Sequence, residues 1–530
     1  MNTKTQRRLK NCGALVLLLP AFLLSCRSSP STEPRSIIPA DSLVFLETDD
    51  LGESIRVVTE NPSFQKAADI RPDLQALNGI KLAMSVTGLD ASEDSVADGA
   101  EVNIRPRFII VAETGLWNFQ AEAFAKYELG RFVDHLFGSI STLETSEKER
   151  ATYHTWTTGA GRKAYALVLG SVIVFGNDEA AIDKCLSVRR GEAEPILVER
   201  SSGDNGQIAF GYVSPAGIER ISDFAGISLA LNATDDEDAM SFIARIVPDL
   251  LRNSVDDISW TAARDGDSIE DKIYVTLKPP LASALNKSMT TIEAGGLDRI
   301  TRLVPSGRSS VTRYNLKDPQ IAWRSLLLAA QQGMGHVRGF ALAAFSGSVF
   351  EQYGIADGEM FLSSVSGPIV TVAFESDDDG PVVAARVADL ERMKTSVSND
   401  IDLSGTPDDS YGTPVWTSDD GEVAAALDRD VIILGGREGV LKCIRAEGMA
   451  ASKFYGSFVE GTSAAATIGS GPNTATRLAK ILGATAGNSP GHSDPGEYFT
   501  ETKFTAQGIE RRTSSDFGLI GWVIEQFGDQ

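Results

Sequence analysis

Histidine and cysteine are scarce here: four of each in 530 residues. The histidines, His135, His154, His336 and His492, have no partner at ligand spacing, and no HExxH occurs. Zinc sites are built from clustered Cys and His, so no metal is expected. Cys12 and Cys26 lie near the N-terminus, which leaves Cys185 and Cys443 for the body. Two thiols cannot staple a scaffold. The G-x-S-x-G elbow of a triad hydrolase is missing. Ser63-Phe64-Gln65-Lys66 has S-x-x-K spacing without the S-D-N and K-T-G partners, and Pro62-Ser63 reads as a helix start. Gly469-Ser470-Gly471 has neither a phosphate-loop lysine nor dinucleotide-binding spacing, so no cofactor is expected. Glu375 to Gly380 opens like a calcium loop, but its twelfth position is Arg386 where a bidentate Glu is needed. A loop tip accounts for it, and solvated surface accounts for Asp235–Asp238.

Basic charge is short as well. Lys and Arg number 49 against 72 Asp and Glu, a formal charge of −23. That field repels phosphate backbones, so nucleic acid is not an expected partner. Apolar runs of spanning length, about 20 residues, are also lacking. The longest, Gly13–Leu24, follows Lys4, Arg7, Arg8 and Lys10, and together they have the form of an export signal. Leu23-Leu24-Ser25-Cys26 resembles the bacterial lipobox, which implies cleavage before Cys26, diacylation of its sulfur and attachment to a membrane. Removing residues 1–25 takes four basic and no acidic residues, leaving 45 against 72, or −27. Arg27 to Ser36 then reads as a polar tether that holds the body about 30 Å from the head groups. Arg27 stands where an inner-membrane retention signal would carry Asp. The expected location is therefore the envelope, facing periplasm or exterior, with the outer membrane favoured.

What the chain does have is an apolar share of 42%, ample for two cores, and an internal echo. Ala164–Leu186 (AYALVLGSVIVFGNDEAAIDKCL) matches Val423–Arg445 (VAAALDRDVIILGGREGVLKCIR) at an offset of 259. Each copy has an apolar run, a turn, a β-branched run, a Gly and a helix. The predicted fold is α+β: two tandem copies of a mixed, mostly antiparallel sheet unit with helices packed on it. The divisions are 1–25 signal, 26–36 lipidated Cys and flexible tether, 37–300 unit one and 301–530 unit two. Unit one is read as strands near Leu43–Thr48, Ile80–Val86, Arg107–Ala112, Gln207–Val213, Ile258–Ala263 and Asp271–Leu277, with an acidic loop between the second and third. Unit two is read as strands at Ser309–Tyr314, Glu359–Val365, Ile369–Phe374, Ala464–Ile468, Glu501–Thr505 and Ile509–Thr513. At offset 259 Cys185 matches Ile444, which sets the two thiols on non-equivalent helix faces.

The lipobox, the Ile38-Pro39-Ala40-Asp41-Ser42 opening and the VIVFGNDEAAI step resemble a bacterial envelope family, domain of unknown function 3352. The resemblance implies an envelope lipoprotein and supplies no catalytic residues. Trp156 and Trp416 sit beside turn signals at matching places, where they form either an aromatic platform for a ligand or part of the core. The expectation is a lipid-anchored, non-catalytic binding or interaction module. Its partners are the membrane, through Cys26, and an envelope protein or small molecule. The alternative is an envelope hydrolase with its site in a cleft between the units.

Overall fold

The computed structural model describes residues 32–68, 72, 74–96, 99–198, 206–233, 237–292, 297–332, 346–398, 400–446, 448–449, 452–471, 474–482 and 496–528. Its strands are β1 Val44–Thr48, β2 Lys81–Val96, β3 Gly99–Glu113, β4 Ser141–Lys148, β5 Ala151–Thr158, β6 Lys163–Leu169, β7 Val172–Gly176, β8 Gln207–Val213, β9 Val255–Asp265 and β10 Ser268–Leu277 in the first half. The second half has β11 Arg308–Tyr314, β12 Val365–Phe374, β13 Val382–Val387, β14 Val415–Thr417, β15 Val423–Asp428, β16 Val431–Gly436, β17 Ala465–Ser470, β18 Glu497–Phe504 and β19 Gly508–Ser515.

All pairings among these strands are antiparallel. The first half runs laterally β4-β5-β6-β7-β3-β2-β1-β8-β9-β10. The second runs β14-β15-β16-β13-β12-β11-β17-β18-β19. The two orders are the same, with β14 taking the place of β5 and no counterpart of β4 among the described residues. β10 and β19 pair over eight residues, so both copies share one 19-stranded sheet. The fold is α+β with a duplicated antiparallel sheet.

Opposite residues in an antiparallel ladder share a face, which sorts the side chains into two layers. One face carries a copy-one cluster (Phe45, Val111, Leu167, Val174) under the helix Glu179–Arg189. It also carries a copy-two cluster (Val311, Val370, Ala384, Ile433) under the helix Arg437–Ile444. The opposite face is covered at one end by the helical stretch Asn118–Phe137 and at the other by the helices Gly358–Ser364 and Leu390–Ser396. Near the junction two clusters on that face mix the copies. One joins Val58 and Phe64 to Leu478 and Phe517, and the other joins Leu285 and Met289 to Ala322. β7 is buried along its whole length because both its faces are covered, which is why VIVFG shows no polar alternation.

The Gly that ends each β-branched run has a steric cause. A Cβ at Gly176 would stand 2.3 Å from the Phe108 carbonyl oxygen, and one at Gly435 would stand 2.1 Å from that of Pro381. The helix after it is entered one residue earlier in copy two. Asp178 caps the first helix and Gly436 the second, so Cys185 and Cys443 are each the seventh helical residue. The expected non-equivalence of the thiols is thus corrected by a one-residue deletion at the strand–helix step. Both are free, 2% exposed and in different clusters, and burial pushes each thiol up to about 12.

Other expectations shift. Glu359–Val365 is mostly helix, capped by Asp357 accepting from the Met360 N–H, so the second and third strands of copy two are β12 and β13, one element later than expected. The acidic loop of copy one is instead the far end of a long β2–β3 hairpin. Ser63 does not cap its helix. Asn61 does, and the Ser63 hydroxyl bonds Asp516 Oδ2 at 2.7 Å. The tether is also shorter than expected, because Pro34–Ile37 is a 3-10 turn with Pro34 and Ile37 buried.

Candidate functional site

Trp156 is 2% exposed and lies under the helical stretch, where Gly130 lets the backbone approach: a Cβ there would meet the indole nitrogen at 3.2 Å. It packs edge-on to Phe175 at 6.4 Å and against Val133 and Ala166. Trp416 is half-buried, and its indole N–H donates to the Gly405 carbonyl at 3.1 Å. Their places do not match. Trp156 faces Ala164, whereas Trp416 faces Ala425, the equivalent of Ala166, whose partner in copy one is His154. The two indoles belong to separate clusters near opposite ends of the strand order, so the sheet does not bring them together, and Trp156 presents no platform. Cys26 lies outside the described residues, as do His336, His492 and Asp235–Asp236.

His135 is exposed, whereas His154, Asp379 and Ser63 are engaged structurally. His154 is 3% exposed, its Nδ1 stands 3.0 Å from the Thr145 hydroxyl, and burial pulls its titration below the ordinary range. Asp379, in the calcium-like stretch, pairs with Lys442 at 2.6 Å. Lys66 is exposed while Ser63 bonds Asp516, so this S-x-x-K forms no nucleophile–base pair. Among the described residues no three His, Cys, Asp or Glu side chains gather to hold a metal. A depression of about 550 Å³ in copy two is lined by Gln320, Arg324, Asp357, Glu359, Ser363 and Arg392. The Arg324 Nε donates to Glu359 Oε2 at 2.8 Å, and the Ser363 hydroxyl donates to the Met360 carbonyl. Its charges already answer one another.

The cleft expected between two separate units is replaced by continuous sheet. What lies there is a charged strip on the face that carries the two separate clusters. One row of opposed residues runs Glu47, Phe210, Thr261, Lys272 in copy one and continues into copy two as Arg512, Glu501, Ala466, Arg313. Lys272 and Arg512 meet at the pseudo-twofold, and Glu270 stands 3.4 Å from one and 3.6 Å from the other. Glu510 stands 3.8 Å from Arg512, whose side chain is 41% exposed. Sequence reasoning missed this site because a strand residue's face depends on register.

Each copy also sets an arginine on phenylalanine here, half-buried beside the strip in copy one and fully buried at its end in copy two. The Arg35 guanidinium lies 5.7 Å from the Phe45 ring centre and 6.0 Å from that of Phe210, and 3.1 Å from Glu47. Arg313 is 0% exposed, lies 5.7 Å from the Phe458 ring, and donates to Ser463 Oγ at 3.3 Å. Burial lowers its titration, partly offset by Glu501. Arg is suited to this because its flat guanidinium stacks on rings while its edge bonds oxygen.

On the opposite face Asp271 ties the copies together. Its Oδ1 accepts from the Trp260 indole N–H at 2.8 Å and its Oδ2 accepts from the Leu519 N–H at 2.9 Å, at the start of the last helix. Burial pushes this carboxyl up to about 6, against an ordinary 3.8. The native state therefore holds the proton more tightly than the unfolded chain. This group's contribution to stability is present in full below about pH 4 and is lost as pH rises to about 6. The loss is on the order of 2–3 kcal/mol. In denaturant titrations between pH 4 and 7, Asp271→Asn should remove that component, so the difference between wild type and variant changes across the window. A constant difference contradicts the assignment.

No family model matches the chain, and no curated protein matches it. Two solved structures, crystal forms I and IV of TP0453, are similar to part of it. They are 10% and 9% identical, cover 47% and 50% of this chain and 80% and 88% of their own, and have TM-scores of 0.24 and 0.25. Likeness of that strength carries no functional argument.

Proposed function

We propose that the chain is a lipid-anchored bacterial envelope protein whose body is a binding or interaction module. The observation that carries this is Leu23-Leu24-Ser25-Cys26 behind a basic and apolar leader, six residues before the first described residue, Thr32. No helix among the described residues is long and apolar enough to cross a membrane, and an acyl chain on Cys26 provides attachment without one. Membership of the domain of unknown function 3352 family belongs to the same reading and rests on the lipobox, the VIVFGNDEAAI step and the Ile38–Ser42 opening. In that opening Ile38 is buried, and the Ser42 hydroxyl donates to the Pro39 carbonyl at 2.7 Å.

The middle of the strip, where the Arg512 side chain is 41% exposed beside the partly exposed Glu270 and Glu510, is the surface offered to a partner. It carries both signs of charge within one row, which suits a polar protein surface or a zwitterionic small molecule. The anchor is tested by growing cells with a clickable palmitate analogue and fractionating them. Wild type should carry the label in the membrane fraction, and Cys26→Ser should carry none and keep its leader. Equal labelling of both, or labelling of neither, overturns the reading.

A further inference from the structure

We propose that the segment around Trp117 and Phe119 is a contact surface for the lipid head groups of the membrane that holds the anchor. This rests on the reading of Cys26 as lipidated. Trp117 is 66% exposed and Phe119 68%, at the cap and second residue of the helix that begins at Asn118. Tyr127, 57% exposed, lies about 12 Å further along, with the Lys126 ammonium 5.4 Å from its ring. The inner side of this helical stretch, with Ala121, Ala125 and Val133 at 0% exposure, is spent on the sheet. The aromatic side is left outward.

What says which partner covers it is the place where the described chain begins. Glu113, 6% exposed, accepts from the Thr32 N–H through Oε2 at 3.4 Å and from the Gly115 N–H through Oε1 at 3.1 Å. One carboxylate thus binds the exit of the N-terminal segment to the loop that presents Trp117 two residues later. The following residues are held too, Glu33 by Lys81 at 2.5 Å and Arg35 by Glu47 at 3.1 Å. Cys26 precedes Thr32 by six residues, which reach at most about 20 Å when extended. An acyl chain on Cys26 therefore keeps the bilayer surface within that distance of Glu113. Trp and Tyr favour the head-group zone, where an apolar ring and a polar edge are both accommodated.

The test uses the full lipidated chain reconstituted in phosphatidylcholine vesicles that contain a nitroxide-headgroup lipid. Phe119→Cys is labelled with a small fluorophore, and Leu390→Cys, at a 42%-exposed position in copy two, serves as reference. Cys185 and Cys443 are buried and will not compete for the label. The expected result is several-fold stronger quenching at 119 than at 390. Equal quenching in protein that carries the acyl chain, verified by mass, overturns this placement and leaves the anchor standing. Protein without acyl chain overturns the anchor and this placement with it.

Discussion

Replacing Trp156 by Ala should lower unfolding free energy by about 3–5 kcal/mol, the range for emptying a buried aromatic site. The indole lies between the helical stretch and the sheet, with Gly130 above it and Phe175 and Ala166 beside it. The surrounding elements are pinned by sheet pairing, so the hole cannot collapse without moving β5 or the helix. Trp416→Ala should cost less, about 1–2 kcal/mol, because Trp416 is half-buried and bonds a loop carbonyl. Urea titration of both variants measures the contrast. Equal, small losses would put Trp156 outside the core and restore it as a surface platform.

Adding a methyl at the strand–helix step should also be costly. Gly176→Ala places a Cβ 2.3 Å from the Phe108 carbonyl oxygen, and Gly435→Ala places one 2.1 Å from the Pro381 carbonyl oxygen. Both obstacles are backbone, so relief requires parting β3 from β7, or β13 from β16. Gly435 adds a φ of +149°, which L side chains rarely adopt. Overpacking of this kind costs roughly 1–3 kcal/mol, and the backbone conformation adds to that at Gly435. Gly435→Ala is therefore expected to be the more damaging, and reversal of that order in chemical denaturation would contradict the steric account. Gly159→Ala, where a Cβ meets open space, is the control.

The internal echo was legible because it is made of local rules. A β-branched run, a glycine the backbone demands and a helix with apolar residues at the right spacing all show in the primary structure. Asp50 caps the helix Leu51–Glu60 by accepting from the Glu53 N–H, and Asp318 accepts from the Ile321 N–H at the start of Pro319–Gln332, both by a short-range pattern of the same kind. Short elements were less legible. Glu359–Val365 has the apolar content of a strand, but Asp357 caps a helix there.

The sequence alone determined the α+β class, the duplication, the acidic charge and the scarcity of His and Cys, since each of these follows from composition or short-range pattern. Tertiary structure decided the rest. The β10–β19 pairing turned two expected bodies into one sheet, because strand edges are satisfied by whichever partner the fold brings alongside. Register put Lys272 opposite Arg512 and hid Arg313 on Phe458, and register is set by long-range pairing that no local pattern encodes. Burial of Trp156, and the Glu113 clamp between Thr32 and Gly115, arise from segments 26 and 81 residues apart meeting in space.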